Sequence, residues 1–195
     1  MSQFPYNSSV QLTPHFNTKE FRCKCGGTHN ILIDDKLPQM LEKLHTTLKC
    51  SKIIISSGHR CSAHDKAVGG SGSGMHVSGC AADFVCYGAD GKVINSKIVS
   101  CAAQDLGFTG IANIQKSYDY IHCDVRTGKK WWSDEQAENG KLKSLTDDFY
   151  TYYKLTKKDV YGETVAIKPG INENEVEVYL EINGKKYSGL LSETE

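Results

Sequence analysis

The sequence predicts an α+β architecture: an antiparallel sheet with flanking helices, followed by a small β-rich C-terminal module. Three observations carry this reading. Segments of helical and of strand periodicity alternate in mixed order along the first 145 residues. The strand-like segments are short and bounded by turn residues, which suits hairpins. Composition then shifts near Leu142, and from Thr146 onward there is neither Cys nor His. The predicted domains are therefore residues 1–145 and 146–195.

Asn17-Thr-Lys-Glu20 is a capping-box pattern and predicts a short helix start. Cys23-Lys-Cys25-Gly-Gly-Thr-His29 reads as a tight loop. Asp35 to Leu48 predicts a helix, because Leu37, Met40, Leu41, Leu44 and Leu48 recur on one face. Ile53-Ile54-Ile55, within Lys52 to Ser57, is β-branched and suits a buried strand. Gly58 to Gly79 is rich in Gly, Ser and His and reads as a loop lining a site. Cys80 to Tyr87 predicts a strand, Ala89-Asp-Gly91 a turn, and Val93 to Leu106 a second helix. Gly107 to Ile111 and Tyr120 to Val125 read as strands. Trp131-Trp132 follows a turn and is an aromatic pair that could stack on a sugar or peptide, although capping the core end is the favoured reading. In the tail, Val176 to Ile182 alternates strictly, and Asn183-Gly184 before Lys185 to Leu191 is a strong hairpin signal.

The chain has 195 residues, 39% of them hydrophobic and 24% charged, which suits a soluble globular protein. Its 23 basic residues balance 23 acidic ones. That disfavours nucleic acid as a partner. No apolar run approaches the ~18 residues that span a bilayer, so no membrane partner is expected. The N-terminus lacks the basic start and apolar stretch of a secretory signal, which predicts synthesis in a cytoplasm. In such a reducing compartment the eight cysteines are expected to be mostly buried free thiols. The tail from Thr146 carries six lysines against ten acidic residues, reversing the charge sign of the front. Its Tyr161, Tyr179 and Tyr187 offer faces for sugar stacking or a small core of their own.

Among seven histidines, two stand apart by their company. His76 closes the Gly/Ser loop and precedes Asp83, with Gly79 between them to let the chain turn. In Tyr120-Ile-His-Cys-Asp-Val125 the period of two puts Ile121, Cys123 and Val125 on a core face and Tyr120, His122 and Asp124 on the other. Two His and a carboxylate would leave a fourth position open, the pattern of a catalytic zinc. A surface Asp with two unrelated His fits the spacing equally well. Cys23, Cys25 and His29, with Cys61, are donors for a second, structural zinc, although their spacing matches no known knuckle.

Four blocks in order resolve the ambiguity: Ser57-Gly-His-Arg-Cys61, His64-Asp-Lys-Ala-Val-Gly-Gly70, Ser73-Gly-Met-His-Val-Ser-Gly-Cys-Ala-Ala-Asp-Phe84, and Tyr120-Ile-His-Cys-Asp-Val-Arg126. Over about residues 10 to 130 the chain resembles the zinc D-alanyl-D-alanine carboxypeptidase family. That group includes phage L-alanyl-D-glutamate endolysins, the vancomycin-resistance dipeptidases and, more distantly, the Hedgehog signalling domain. The resemblance implies a Hedgehog/DD-peptidase-like fold with a zinc cleft, and Zn2+ held by His76, Asp83 and His122. It assigns Arg60 and Ser73 to the substrate. An acidic residue three positions before the last ligand serves as general base in the dipeptidase and endolysin branches, and here that position is Asp119, with Asp124 as its rival. Tyr120 stands where the Hedgehog relatives have a His.

The function so implied is a zinc peptidase of peptidoglycan stem peptides, specifically a phage endolysin cutting an L-alanyl-D-glutamate-type bond. Such an enzyme is made in a host bacterial cytoplasm and acts on the wall after release. The alternatives are a D-Ala-D-Ala carboxypeptidase and a non-catalytic zinc-containing binding domain. The tail is expected to target the wall or to self-associate, making the chain a monomer or a weak homo-oligomer.

Overall fold

The computed structural model describes residues 1–114, 119–135 and 141–162, together with the backbone of strands at 164–169, 175–182 and 185–192. It divides into two compact units, Met1–Phe149 and Tyr150–Glu195.

The first unit is α+β. Four short strands open it, β1 (Ser2–Phe4), β2 (Gln11–Thr13), β3 (Phe16–Asn17) and β4 (Ile31–Ile33). β1 pairs with β4 and β2 with β3. Between β3 and β4 a single 3-10 turn, Thr18–Phe21, carries the capping box in full. Asn17 Oδ1 accepts from Lys19 N (3.1 Å), and Glu20 Oε1 accepts from Asn17 N (2.7 Å). The helix α1 (Lys36–Thr47) and the strand β5 (Lys52–Ser57) follow, then α2 (Ser62–Ala67), β6 (Ala81–Tyr87), α3 (Ser96–Asp105), β7 (Gly110–Ile114), β8 (Tyr120–Asp124), β9 (Trp131–Glu135) and β10 (Leu142–Ser144).

The main sheet has six strands in the order β10-β9-β7-β8-β6-β5. It is mixed rather than purely antiparallel, because β7 and β9 run parallel. The expectation of a buried Ile53-Ile54-Ile55 holds for two of the three. β5 is an edge strand, so Ile53 and Ile55 are buried while Ile54 faces out at 45% exposure.

Pairing registers define two faces. Ile53, Ile55, Phe84, Cys86, Ile111, Ile121 and Cys123 lie on one, and α1 and α3 pack against it. Burial of Leu37, Leu41 and Leu44 from α1 and of Val99, Cys101 and Ala102 from α3 completes this core. All eight cysteines are free, and Cys50, Cys86, Cys101 and Cys123 are buried here. The opposite face carries Asp83, His122, Asp124 and Trp131.

A short helix, α2, interrupts the Gly/Ser-rich stretch that reads as loop. Its N-cap is Cys61, whose sulfur accepts from His64 N (3.4 Å). Trp131 and Trp132 open β9 and part company there: Trp132 lies 5.7 Å from the buried Phe149 ring, while Trp131 is on the Asp83 and His122 face.

The first unit extends to Phe149. That ring is fully buried, lies 5.7 Å from Trp132, and its N–H donates to Gln104 Oε1 on α3 (2.8 Å). The helix α4 (Phe149–Tyr153) begins there. The second unit adds α5 (Lys157–Tyr161) and three antiparallel strands, β11 (Thr164–Pro169), β12 (Glu175–Ile182) and β13 (Lys185–Ser192). Strands β12 and β13 pair from Glu175↔Ser192 to Ile182↔Lys185, the register of a hairpin. The Asn183-Gly184 turn and the side chains of Tyr179 and Tyr187 lie outside the described residues. Among the described residues no helix is long and apolar enough to cross a membrane.

Candidate metal centre

β6 and β8 set Asp83 directly opposite His122 in an antiparallel ladder, on the face away from α1 and α3. Cross-strand partners on one face bring their Cβ atoms within about 5.5 Å, close enough to share a ligand. His76 reaches the same point from the loop before β6. Its Nδ1 donates to the Gly58 carbonyl (2.7 Å), which leaves Nε2 with its lone pair facing the pair.

Three donor atoms therefore converge. His76 Nε2 lies 3.1 Å from Asp83 Oδ1 and 3.1 Å from His122 Nδ1, and His122 Nδ1 lies 2.9 Å from Asp83 Oδ1. A tetrahedral zinc bound at about 2.0–2.1 Å sets its N and O ligands about 3.3 Å apart, so the spacing fits such an ion with little movement. Nitrogen and carboxylate donors also suit zinc chemically.

Each ligand is held from behind. Asp124 Oδ2 accepts from His122 Nε2 (3.1 Å), and Arg126 clamps Asp124 through Nε (2.8 Å) and its backbone N–H (3.1 Å). Asp124 is completely buried, and Gly110 makes the room: a Cβ there would stand 2.0 Å from Asp124 Oδ2. The outer oxygen of Asp83 takes a bond from Arg60, whose Nε donates to Ser57 Oγ (2.8 Å). A bulge in β5 between Ile55 and Ser57 puts Ser57 opposite Asp83 on this face. Arg60 also meets Asp65 (3.3 Å), which accepts from Gly72 N (2.8 Å) and so ties down the glycine loop.

The electrostatics follow from this packing. Burial alone would lower the His122 pKa, but the hydrogen bonds to Asp124 and Asp83 outweigh it and raise it to about 9. Burial would raise the Asp83 carboxyl, yet His122 and His76 hold it well below the usual carboxylate range. Asp124 is likewise held down, against its burial, by Arg126 and His122. A buried anion pair facing one imidazolium is an arrangement in which a dication replaces a proton.

An open cavity of about 340 Å³ rises from the cluster. Arg60, Ser71, Tyr120 and Trp131 line it alongside the ligand residues. Of the residues assigned to substrate, Arg60 is at the site. Ser73 is exposed, and its N–H donates to Ser71 Oγ (3.2 Å); Ser71, two residues earlier, is the serine that lines the cavity. Asp119 is not brought to the cluster. It follows the period of two onto the Ile121 side of β8, and its Oδ1 accepts from Ser96 Oγ on α3 (3.1 Å). Asp124, its rival, touches His122 at Nε2, on the side of the ring away from Asp83 and His76. Sequence reasoning missed the Gly58 carbonyl and Ser71, and it favoured a core cap over ligand stacking for Trp131, which lines the cavity. The Trp131 ring lies 5.9 Å from His122, edge to face.

A second group of donors, Cys23, Cys25 and Cys61, lies elsewhere in this unit, and a third, His15, Glu42 and His45, involves a stacked imidazole pair at 3.8 Å. No curated protein matches the chain at a significant level. The model of the peptidase M15 family matches residues 14–124, which contain all three converging donors and Arg60. With more than half of its length so matched, the chain belongs to the peptidase M15 family, a family of metal-dependent hydrolases.

Proposed function

We propose that the protein is a zinc metallopeptidase that hydrolyses the stem peptides of bacterial peptidoglycan, as a phage endolysin cutting an L-alanyl-D-glutamate-type bond. The observation that carries this reading is the convergence of His76 Nε2, Asp83 Oδ1 and His122 Nδ1, 2.9–3.1 Å apart, beneath an open cavity. These three residues would hold the ion. When bound, zinc supplies Lewis acidity, acidifying a water molecule and polarising a peptide carbonyl.

The chain's own groups do the rest. Arg60, fastened by Ser57, Asp65 and Asp83, presents a guanidinium edge at the cavity wall, where an oxyanion develops. Tyr120 shares the His122 face and lines the cavity, and we assign its hydroxyl to the same oxygen. Ser71 supplies the hydroxyl assigned to Ser73. Asp119 is kept as the proposed base on the family resemblance alone; in the structure its carboxylate accepts from Ser96 Oγ on the α3 side of β8, away from the cluster, and the variant below decides its role. Trp131 gives an aromatic wall against which a stem peptide or sugar packs.

Purified muropeptides digested with the protein, with and without chelator, test the reading by mass spectrometry. The expected products are split between L-Ala and D-Glu, with cleavage abolished by chelator and restored by zinc. Loss of a terminal D-Ala alone would assign the carboxypeptidase. Binding without any cleavage would assign the non-catalytic domain. Asp119→Asn should lose ~10²–10⁴-fold in kcat with zinc content unchanged. An undiminished rate removes Asp119 from the mechanism.

A further inference from the structure

Cys23 and Cys25 flank one residue just after the 3-10 turn, and Cys61 caps α2, 36 residues on from Cys25 in sequence. The fold nevertheless gathers their sulfurs within 4.8 Å of one another. His64, in the first turn of α2, brings a fourth donor: its Nδ1 lies 3.2 Å from Cys23 Sγ. Adjacent ligands of a tetrahedral zinc with sulfur bonds near 2.3 Å stand about 3.5–3.8 Å apart; the three sulfurs are gathered within 4.8 Å, and His64 Nδ1, near that spacing from Cys23, has only to close on Cys25 and Cys61 to complete the set.

Every sulfur is also met by a backbone N–H. Cys61 N donates to Cys23 Sγ (3.3 Å), Gly27 N to Cys25 Sγ (3.3 Å) and His64 N to Cys61 Sγ (3.4 Å). The Gly27 N–H holds the Cys25 thiol below its ordinary value, whereas burial raises Cys23 against its backbone bonds; thiolate is the form that binds metal. An odd set of three free thiols beside an imidazole is not a disulfide framework.

We propose that Cys23, Cys25, Cys61 and His64 form a closed, four-ligand structural zinc site, distinct from the His76, Asp83 and His122 cluster. Three sulfurs and one nitrogen match the soft, tetrahedral preference of zinc, and four protein ligands leave no position for substrate. The sequence pairs His29 with these cysteines, but the structure favours His64. His29 is exposed and its Nε2 sits over Gly27 near Cys25, whereas His64 Nδ1 is already in contact with Cys23.

The site has a consequence for the cavity. The segment from Gly58 to Cys61 carries both the carbonyl that orients His76 and the Arg60 guanidinium. It is already fastened to the 3-10 turn by His59 N donating to Phe21 O (2.8 Å), with the Gly58 backbone packed on Phe21. A zinc bridging Cys23 and Cys25 to Cys61 and His64 closes the other end of the same segment. The proposal stands independently of any peptidase activity, since it concerns metal content and not turnover.

Elemental analysis of the full chain, purified with zinc present, should find two zinc ions per molecule. His122→Ala should keep one. In the cobalt-loaded His122→Ala protein, that remaining site should give intense sulfur-to-cobalt charge transfer in the near ultraviolet with tetrahedral d–d bands. Cys61→Ser and His64→Ala should each lose one zinc, while His29→Ala keeps both. A wild-type protein with a single zinc that disappears in His122→Ala overturns the site. So does a cobalt spectrum without charge transfer, which decides the matter even where Cys61→Ser fails to fold. Zinc lost from His29→Ala but kept in His64→Ala overturns the fourth ligand.

Discussion

At the scale of single residues, the chemistry of the centre is set by what stands behind the ligands. His122 is trapped between two carboxylates, Asp83 at Nδ1 and Asp124 at Nε2, and its pKa is raised to about 9 although burial opposes this. In the metal-free protein the imidazole is therefore charged at neutral pH. A raised folded pKa contributes stability that is full below the unfolded value of about 6.5 and is lost as pH climbs through about 9. On the proposed assignment zinc would have to displace that proton, so its affinity should rise about tenfold per pH unit between pH 6 and 8 and level off near pH 9. Titration calorimetry in buffers of different ionisation enthalpy measures the proton released; an affinity flat across that range would show that His122 is neutral before the metal arrives. Asp124→Asn should weaken zinc binding by about 10- to 100-fold, the usual effect of removing a group that orients a ligand, and should flatten this pH dependence. Retention of both affinity and slope would strip Asp124 of its positioning role.

At the scale of elements, the strand period did most of the predictive work. Ile121 and Cys123 against His122 and Asp124 is legible because one face of β8 meets a helix-covered core and the other a cavity. The same period carries Asp119 to the core side, where Ser96 receives it, so a family position three residues before a ligand is not a guarantee of proximity. Other parts leave no local trace. α2 is six residues long and lies in a Gly- and Ser-rich stretch, too short for helical periodicity to register. The sequence Trp-Trp-Ser-Asp-Glu of β9 does not alternate, and its parallel pairing with β7 is a long-range choice. The Gly58 carbonyl that orients His76 is backbone and has no side-chain signature. Gly110 likewise reads as an ordinary strand glycine until its partner is seen to be Asp124. Gly110→Ala would set a methyl group 2.0 Å from a buried carboxylate oxygen. Overpacking of this kind costs about 1–3 kcal/mol, and here it also pushes Asp124 off His122. Thermal unfolding and zinc affinity should fall together in this variant. A loss of stability with full zinc affinity would show that Asp124 and His122 can shift as a unit.

For the whole molecule, the decisive feature is where the first unit ends. Composition places the boundary at residue 145, but Phe149 is fully buried beside Trp132 and is hydrogen-bonded through its backbone to Gln104. A chain stopped at residue 145 gives up that ring, a loss comparable to a buried Phe→Ala change of about 3–5 kcal/mol. Domains have only about 5–15 kcal/mol to lose. A chain stopped at residue 149 keeps the ring and every described member of the metal centre. The shorter piece should therefore melt well below the longer one. The second unit, about 46 residues with a three-stranded sheet, is in the size range where a domain buries only a modest share of its surface on folding. If its task is wall targeting, as proposed for residues 146–195, the chain of residues 1–149 should bind zinc and cleave soluble muropeptides at the full-length rate yet clear intact walls much more slowly. Equal rates on walls, with a lower mass by light scattering than the full chain shows per molecule assembled, would reassign the tail to self-association. An insoluble or zinc-free 1–149 chain would mean that the tail completes the catalytic fold, and the two units would then have to be treated as one.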